Sequence, residues 1–201
     1  MARLSLRMNT SHLLYLHGFR SSPQSTKARM VAARMHEANP TVTWWCPQLP
    51  PSPAAAMQLL KDGAASWPRS STAVIGSSLG GFYATCLAAQ LDCHAVVLNP
   101  AVHPSRDLAG YVGEQSAWHD KNEHFVFETR YLDELRALES GGSPDPAKVL
   151  AVIAKGDELL DWREMSARYP GARVRLLEGS DHAISDFADH IDEVFAFLGL
   201  R

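Results

Sequence analysis

Gly76-Ser77-Ser78-Leu79-Gly80 sets a serine between two glycines, each two residues away, directly after the apolar run Thr72-Ala73-Val74-Ile75 and before the small-residue stretch Gly81 to Gln90. That spacing is a nucleophile elbow, a strand-to-helix turn that cramps its central residue and lifts the hydroxyl above the strand end, at a helix N-terminus. The glycines remove Cβ atoms that would strike neighbouring backbone. Ser77 has Ile75 and Leu79 at those distances, so Ser78 is the candidate nucleophile.

A serine hydroxyl is a weak nucleophile near neutral pH and needs a base within hydrogen-bond reach, itself oriented by an acid. The strand-like run Val149 to Ala154 leads into Lys155-Gly156-Asp157-Glu158, and Arg173 to Leu177 leads into Glu178-Gly179-Ser180-Asp181-His182. Asp157 and His182 thereby stand at C-terminal strand ends, the edge where open parallel sheets bind ligands. Singly, each has a plainer explanation: a capping serine, a turn-forming or capping aspartate, a surface histidine. Together, in the order nucleophile, acid, histidine, they point to a Ser-His-Asp triad. Asp161 is the rival acid, unless it lies on the next helix or caps it, and Asp181 is a poorer one because adjacent side chains in an extended loop point apart. Acyl transfer also develops an oxyanion, and losing one fixed donor to it costs about 3 to 4 kcal/mol. The expected donors are the backbone N–H groups of Leu79 and of Phe19, the latter in His17-Gly18-Phe19. His17 itself is read as a structural imidazole.

The elements that must hold these residues alternate between strand and helix, the pattern of a mainly parallel α/β sheet flanked by helices. Strands are expected at Leu13 to Leu16, Thr41 to Cys46, the elbow run, Ala95 to Leu98, Val149 to Ala154 and Arg173 to Leu177. Helices are expected at Ser25 to Ala38, Ala54 to Lys61, Gly81 to Gln90, Thr129 to Glu139 and Asp161 to Arg168. A last helix, Phe187 to Leu198, has one apolar face of Phe187, Ile191, Val194, Phe195 and Leu198. From Ala101 to about Glu128 neither period is clean, and the aromatic content of that stretch favours a small cap or lid over disorder.

At 201 residues, 46% hydrophobic and 20% charged, the chain is expected to form one α/β domain. Its 19 basic and 22 acidic residues give a net charge of -3 without a Lys/Arg block. Nucleic-acid and polybasic membrane binding are therefore not expected, and partners should be small molecules. Cys46, Cys86 and Cys93 form no CxxC pair and read as buried free thiols in a reducing compartment. Met1 to Thr10 lacks the apolar core of a signal peptide, and no apolar stretch suits a membrane span. A cytoplasmic protein is expected, with Met1 to Arg7 an extension outside the fold. The cluster Trp118-His119-Asp120 with Glu123-His124 matches no zinc spacing, and neither GxGxxG nor GxxxxGK[ST] occurs, so no metal or nucleotide cofactor is expected.

With those residues in place, the chain resembles the YqiA-type bacterial esterases, small α/β hydrolases. The matching blocks are Leu14-Tyr15-Leu16-His17-Gly18-Phe19 with Ser21-Ser22-Pro23, Pro47-Gln48-Leu49-Pro50-Pro51, Gly76 to Gly81 and Asn99-Pro100-Ala101-Val102. Gly156-Asp157-Glu158 with Leu160-Asp161, then His182-Ala183 and Phe197-Leu198-Gly199-Leu200, complete the set. The resemblance spans nearly the whole chain and implies an α/β-hydrolase fold. It also implies cofactor-free hydrolysis of carboxylic esters, extending to acyl-CoA thioesters, through Ser78, Asp157 and His182. The alternatives are an acyltransferase using the same residues and a non-catalytic hydrolase-fold binding module.

Overall fold

Leu13, Leu14, Tyr15 and Leu16 are all at most 1% exposed. A strand apolar on both faces belongs inside a parallel sheet covered on both sides. The computed structural model, which describes residues 9–118, 120 and 122–201, places it there. Met1 to Arg7, His119 and the expectations resting on them lie outside the described residues.

The chain runs β1 (His12–Leu16), α1 (Thr26–Ala38), β2 (Thr43–Trp45), α2 (Pro53–Ala64), β3 (Thr72–Ser77), α3 (Leu79–Leu91) and β4 (His94–Leu98). Then come α4 (Pro104–Asp107), β5 (Gly113–Ser116), β6 (His124–Phe127), α5 (Thr129–Glu139), β7 (Val149–Ala154), α6 (Trp162–Arg168), β8 (Arg173–Leu177) and α7 (Ile191–Phe197). Six strands form one sheet in the order β2-β1-β3-β4-β7-β8, every pair parallel. From β1 the chain winds outward to β2, and from β3 it winds the other way to β4. Right-handed crossovers therefore put α1 and α3 on opposite faces. The two buried clusters agree: Ala28, Val31 and Met35 of α1 pack with Val194 and Phe195 of α7, whereas residues of α2, α3, α5 and α6 pack on the other face. The crevice this leaves above the C-terminal ends of β1 and β3 is the switch point of the sheet.

Three expectations need correction. The segment after β4 is not irregular: it holds α4 and an antiparallel hairpin in which Gly113 pairs with Phe127 and Ser116 with His124. Gly113 sits at φ 119, a conformation that no β-propensity signal registers. The last helix is broken, with a 3-10 turn at Phe187–Asp189 before α7, so the apolar spacing is shared by two short pieces. Helix α2 starts one residue early, at Pro53, because proline suits the first helical position and Ser52 caps it by accepting from Ala55 N at 3.1 Å.

The three cysteines are free, Cys93 buried and the others half-buried. Burial pushes the thiols of Cys46 and Cys93 up to about 12 and that of Cys86 to about 11, which leaves them protonated and unreactive near neutral pH. Among the described residues, no helix is long and apolar enough to cross a membrane, and no group of three or more His, Cys, Asp or Glu could hold a metal ion.

Candidate active site at the sheet's switch point

Ser78 lies between β3 and α3 at φ 56, ψ -121, a conformation that costs a non-glycine residue about 1 to 3 kcal/mol. Its backbone is held there from both sides. Ser78 N donates to Leu98 O at 3.0 Å, while Ser78 O accepts from Gly81 N (2.9 Å), Phe82 N (3.2 Å) and Ala101 N (3.1 Å). The flanking glycines are required by contact. A Cβ on Gly76 would lie 2.2 Å from Gly80 O, and one on Gly80 would lie 2.1 Å from Leu16 O. Both are below any tolerable separation with backbone, so the elbow cannot form with alanine at either position.

The loop after β7 supplies Asp157 and the loop after β8 supplies His182. His182 Nδ1 lies 2.8 Å from Asp157 Oδ2, and His182 Nε2 lies 3.1 Å from Ser78 Oγ. A carboxylate only accepts, so the ring proton sits on Nδ1 and leaves Nε2 free to accept from the serine hydroxyl. The Asp157 side chain is 0% exposed and that of His182 is 19% exposed: the acid is sealed in, and the imidazole opens to the crevice. The other Asp157 oxygen accepts from Leu159 N (2.8 Å) and Leu160 N (2.9 Å), which fixes the carboxylate plane.

Neither rival acid reaches the imidazole. Asp161 caps α6, accepting from Arg163 N at 2.8 Å. Asp181 turns back on its own loop, accepting from Ser185 N (2.9 Å) and Ser185 Oγ (2.6 Å).

Gly18 brings the loop after β1 against the serine: a Cβ there would come within 3.2 Å of Ser78 Cβ. Among the described residues the backbone N–H groups of Phe19 and Leu79 have no protein partner. His17 is buried, with Nε2 accepting from Leu49 N at 3.1 Å and Nδ1 donating to Gly18 O at 3.0 Å. That pins the loop to the Pro47–Pro51 connection and matches the structural imidazole expected. The Phe19 ring is clasped edge-on by Phe127 (5.2 Å), Tyr111 (5.7 Å) and Phe125 (5.8 Å), so the hairpin is docked on the loop beside the serine. Arg20 extends this clasp. Its Nε donates to Ser116 O at 2.7 Å, and its O accepts from Trp118 N at 2.8 Å.

Asn99 is a residue whose part in the site the sequence reading missed, placing it after the strand Ala95 to Leu98 and in a matching block without giving it a role. It is fully buried at φ 41. Its Nδ2 donates to Asp181 O (2.9 Å) and His182 O (3.1 Å), and its Oδ1 accepts from Ala154 N (2.7 Å) at the root of the Asp157 loop. One amide thus ties the acid loop to the histidine loop. The available signal was a polar residue at the end of an otherwise apolar strand. Glu158 was missed as well: its Oε2 accepts from His182 N at 3.0 Å. Asn99→Ala would leave Ala154 N and His182 O without their partner, since Asp181 O still accepts from Ile184 N, at a cost of about 1 to 3 kcal/mol each. The expected result is a Tm lower by several degrees and kcat reduced about 10- to 100-fold with KM little changed, read from steady-state ester hydrolysis.

Two clefts share the His17-Gly18-Phe19 wall. One, of about 400 Å³, is lined by Leu49, Pro50, Leu79, Tyr83, Ala117 and Phe125. The other, of about 550 Å³, contains Ser78 and His182 together with Lys27, Ser25, Trp118 and Ile184.

Solved structures share this architecture. One of the metagenome-derived lipolytic enzymes LipS and LipT aligns with a TM-score of 0.71 at 18% identity, over 95% of this chain and 94% of that one. Est1E from Butyrivibrio proteoclasticus aligns at 0.66 and 16% identity over 92% and 85%. Alpha/beta hydrolase domain-containing protein 10 from mouse aligns at 0.65 and 15% identity over 94% and 91%. At such identities the likeness establishes the α/β-hydrolase fold. Residues 12–199 match the model of the Uncharacterised protein family (UPF0227), and the chain belongs to that family, the YqiA-like one to which its HGF, PQLPP and GSSLGG blocks point.

Proposed function

We propose that the protein is a serine carboxylesterase acting on small-molecule esters. The observation that carries the reading is the hydrogen-bonded series Ser78 Oγ, His182 Nε2, His182 Nδ1, Asp157 Oδ2, built on a serine in left-handed backbone at a strand-to-helix turn. Ser78 Oγ attacks the acyl carbonyl as His182 Nε2 takes its proton, and Asp157 stabilises the imidazolium that forms. The carbonyl oxygen becomes an oxyanion received by the free N–H groups of Leu79 and Phe19, the former aided by the N-terminus of α3. Collapse expels the alcohol, which receives its proton from His182. A water, deprotonated by the same nitrogen, then attacks the acyl-serine and releases the acid.

The two clefts divide the ester. The leaving alcohol must lie against His182 Nε2, which protonates it, and His182 lines the larger cleft. Leu79, whose N–H faces the oxyanion, lines the smaller one, so the acyl chain extends there among Leu49, Pro50, Tyr83 and Phe125, beneath the hairpin as a lid.

The expected behaviour toward 4-nitrophenyl butyrate is a burst of about one nitrophenolate per chain under rapid mixing, followed by slower turnover. Purified protein that releases no nitrophenolate above the buffer rate would refute the reading.

A further inference from the structure

The larger cleft has a one-sided charge. Among the described residues that line it Lys27 is the single Lys or Arg, none is Asp or Glu, and Ser22, Gln24, Ser25 and Thr26 add hydroxyl and amide groups beside it. Lys27 stands in the first turn of α1, half-buried, and its Nζ donates to Ala183 O, in the residue after His182. An ammonium has three N–H groups, so one bond to a carbonyl leaves donors for a ligand. The nearby carboxylates are committed elsewhere: Asp157 to His182, Leu159 and Leu160, and Asp181 to Ser185. Burial pulls the Lys27 ammonium down to about 8 against the weaker opposing pull of Asp181 and Asp157, so it is still mainly charged at pH 7. A half-buried cation whose neighbouring carboxylates, Asp181 and Asp157, hydrogen-bond other groups keeps N–H donors that a ligand anion can take.

We propose that Lys27 binds a carboxylate carried by the alcohol part of the ester, so that the preferred substrates are esters of hydroxy acids; this rests on the reading that Ser78 attacks esters. The alcohol part is the relevant half because Lys27 shares its cleft with His182, which must protonate the leaving oxygen. A carboxylate is favoured over a phosphate because one ammonium balances one negative charge, and no second Lys or Arg lines the cleft among the described residues.

The test compares 3-carboxy-4-nitrophenyl butyrate with 4-nitrophenyl butyrate, which share an acyl group and differ in one carboxylate. After division by the ratio of their hydroxide-catalysed rates, kcat/KM is expected to favour the carboxylated ester about tenfold, the worth of one charge-assisted hydrogen bond. Lys27→Met should bring the ratio to about 1, and Lys27→Arg should retain most of it. In parallel, calorimetry on Ser78→Ala should show about tenfold tighter binding of the carboxylated ester, a difference lost in Ser78→Ala/Lys27→Met. Equal affinities, or a preference that survives Lys27→Met, would overturn the proposal. Hydrolysis of both esters without preference defeats the anion site alone. A Lys27-dependent binding preference in a protein that hydrolyses neither defeats the esterase reading alone.

Discussion

Replacing either Ser78 or His182 by alanine is expected to lower kcat on 4-nitrophenyl butyrate by a factor on the order of 10⁴ to 10⁶, with the double variant no slower than the single ones. The non-additivity follows from geometry. At 3.1 Å His182 Nε2 is the acceptor placed for the serine proton, and without it the hydroxyl is an ordinary alcohol. Without the hydroxyl, the imidazole has nothing to deprotonate in the first step. Neither substitution should unfold the chain. Ser78 is held through its backbone, by bonds to Leu98, Gly81, Phe82 and Ala101 that alanine also makes, and the His182 ring is partly open to solvent. Circular dichroism and thermal melts close to those of the parent, beside the kinetic loss, are the expected pair of results.

Asp157→Asn should cost about 10³- to 10⁴-fold in kcat while leaving KM within a few-fold. Asp157 Oδ1 is already taken by the amides of Leu159 and Leu160, and an asparagine must keep its carbonyl there to satisfy them. Its NH₂ group is then turned toward His182 Nδ1, which must become an acceptor. The ring proton moves to Nε2, the atom facing Ser78, and the base is lost with every heavy atom in place. Asp161→Asn, by contrast, should leave kcat within about twofold, since Asp161 is occupied in capping α6. Steady-state kinetics on the two variants separates these outcomes, and a large loss at Asp161 with none at Asp157 would reverse the assignment of the acid.

The residues at strand ends were legible in the sequence because strand, glycine and polar residue follow one another locally. Strands β7 and β8 and helix α5 fall where the pattern puts them, and with them the placement of Asp157 and His182 at one edge. The choice of Asp157 over Asp161 also had a local grammar, that of the helix N-cap. What was not legible depends on partners distant in sequence. Gly113-Glu114-Gln115-Ser116 has no apolar alternation and is a strand because it pairs with His124 to Phe127, of which the Phe125 and Phe127 rings, with Tyr111, rest on Phe19. Asn99 reaches Asp181 and His182 more than 80 residues away, and its own neighbourhood shows only a polar residue at the end of an apolar strand, which does not name those partners. The break before α7 was hidden because Phe187, Val194, Phe195 and Leu198 are buried whether or not the helix is continuous.

The central claim is that Ser78 is an activated nucleophile, and covalent labelling tests it without any choice of substrate. A fluorophosphonate probe reacts with a serine only where a base removes its proton and donors stabilise the oxyanion formed on phosphorus. Peptide mapping by mass spectrometry after incubation with the probe should find one adduct, on the peptide containing Ser78. Labelling should disappear in Ser78→Ala and fall steeply in His182→Ala. A folded protein that remains unlabelled, or that carries the adduct on another residue, would contradict the account and leave a hydrolase fold without the hydrolase chemistry.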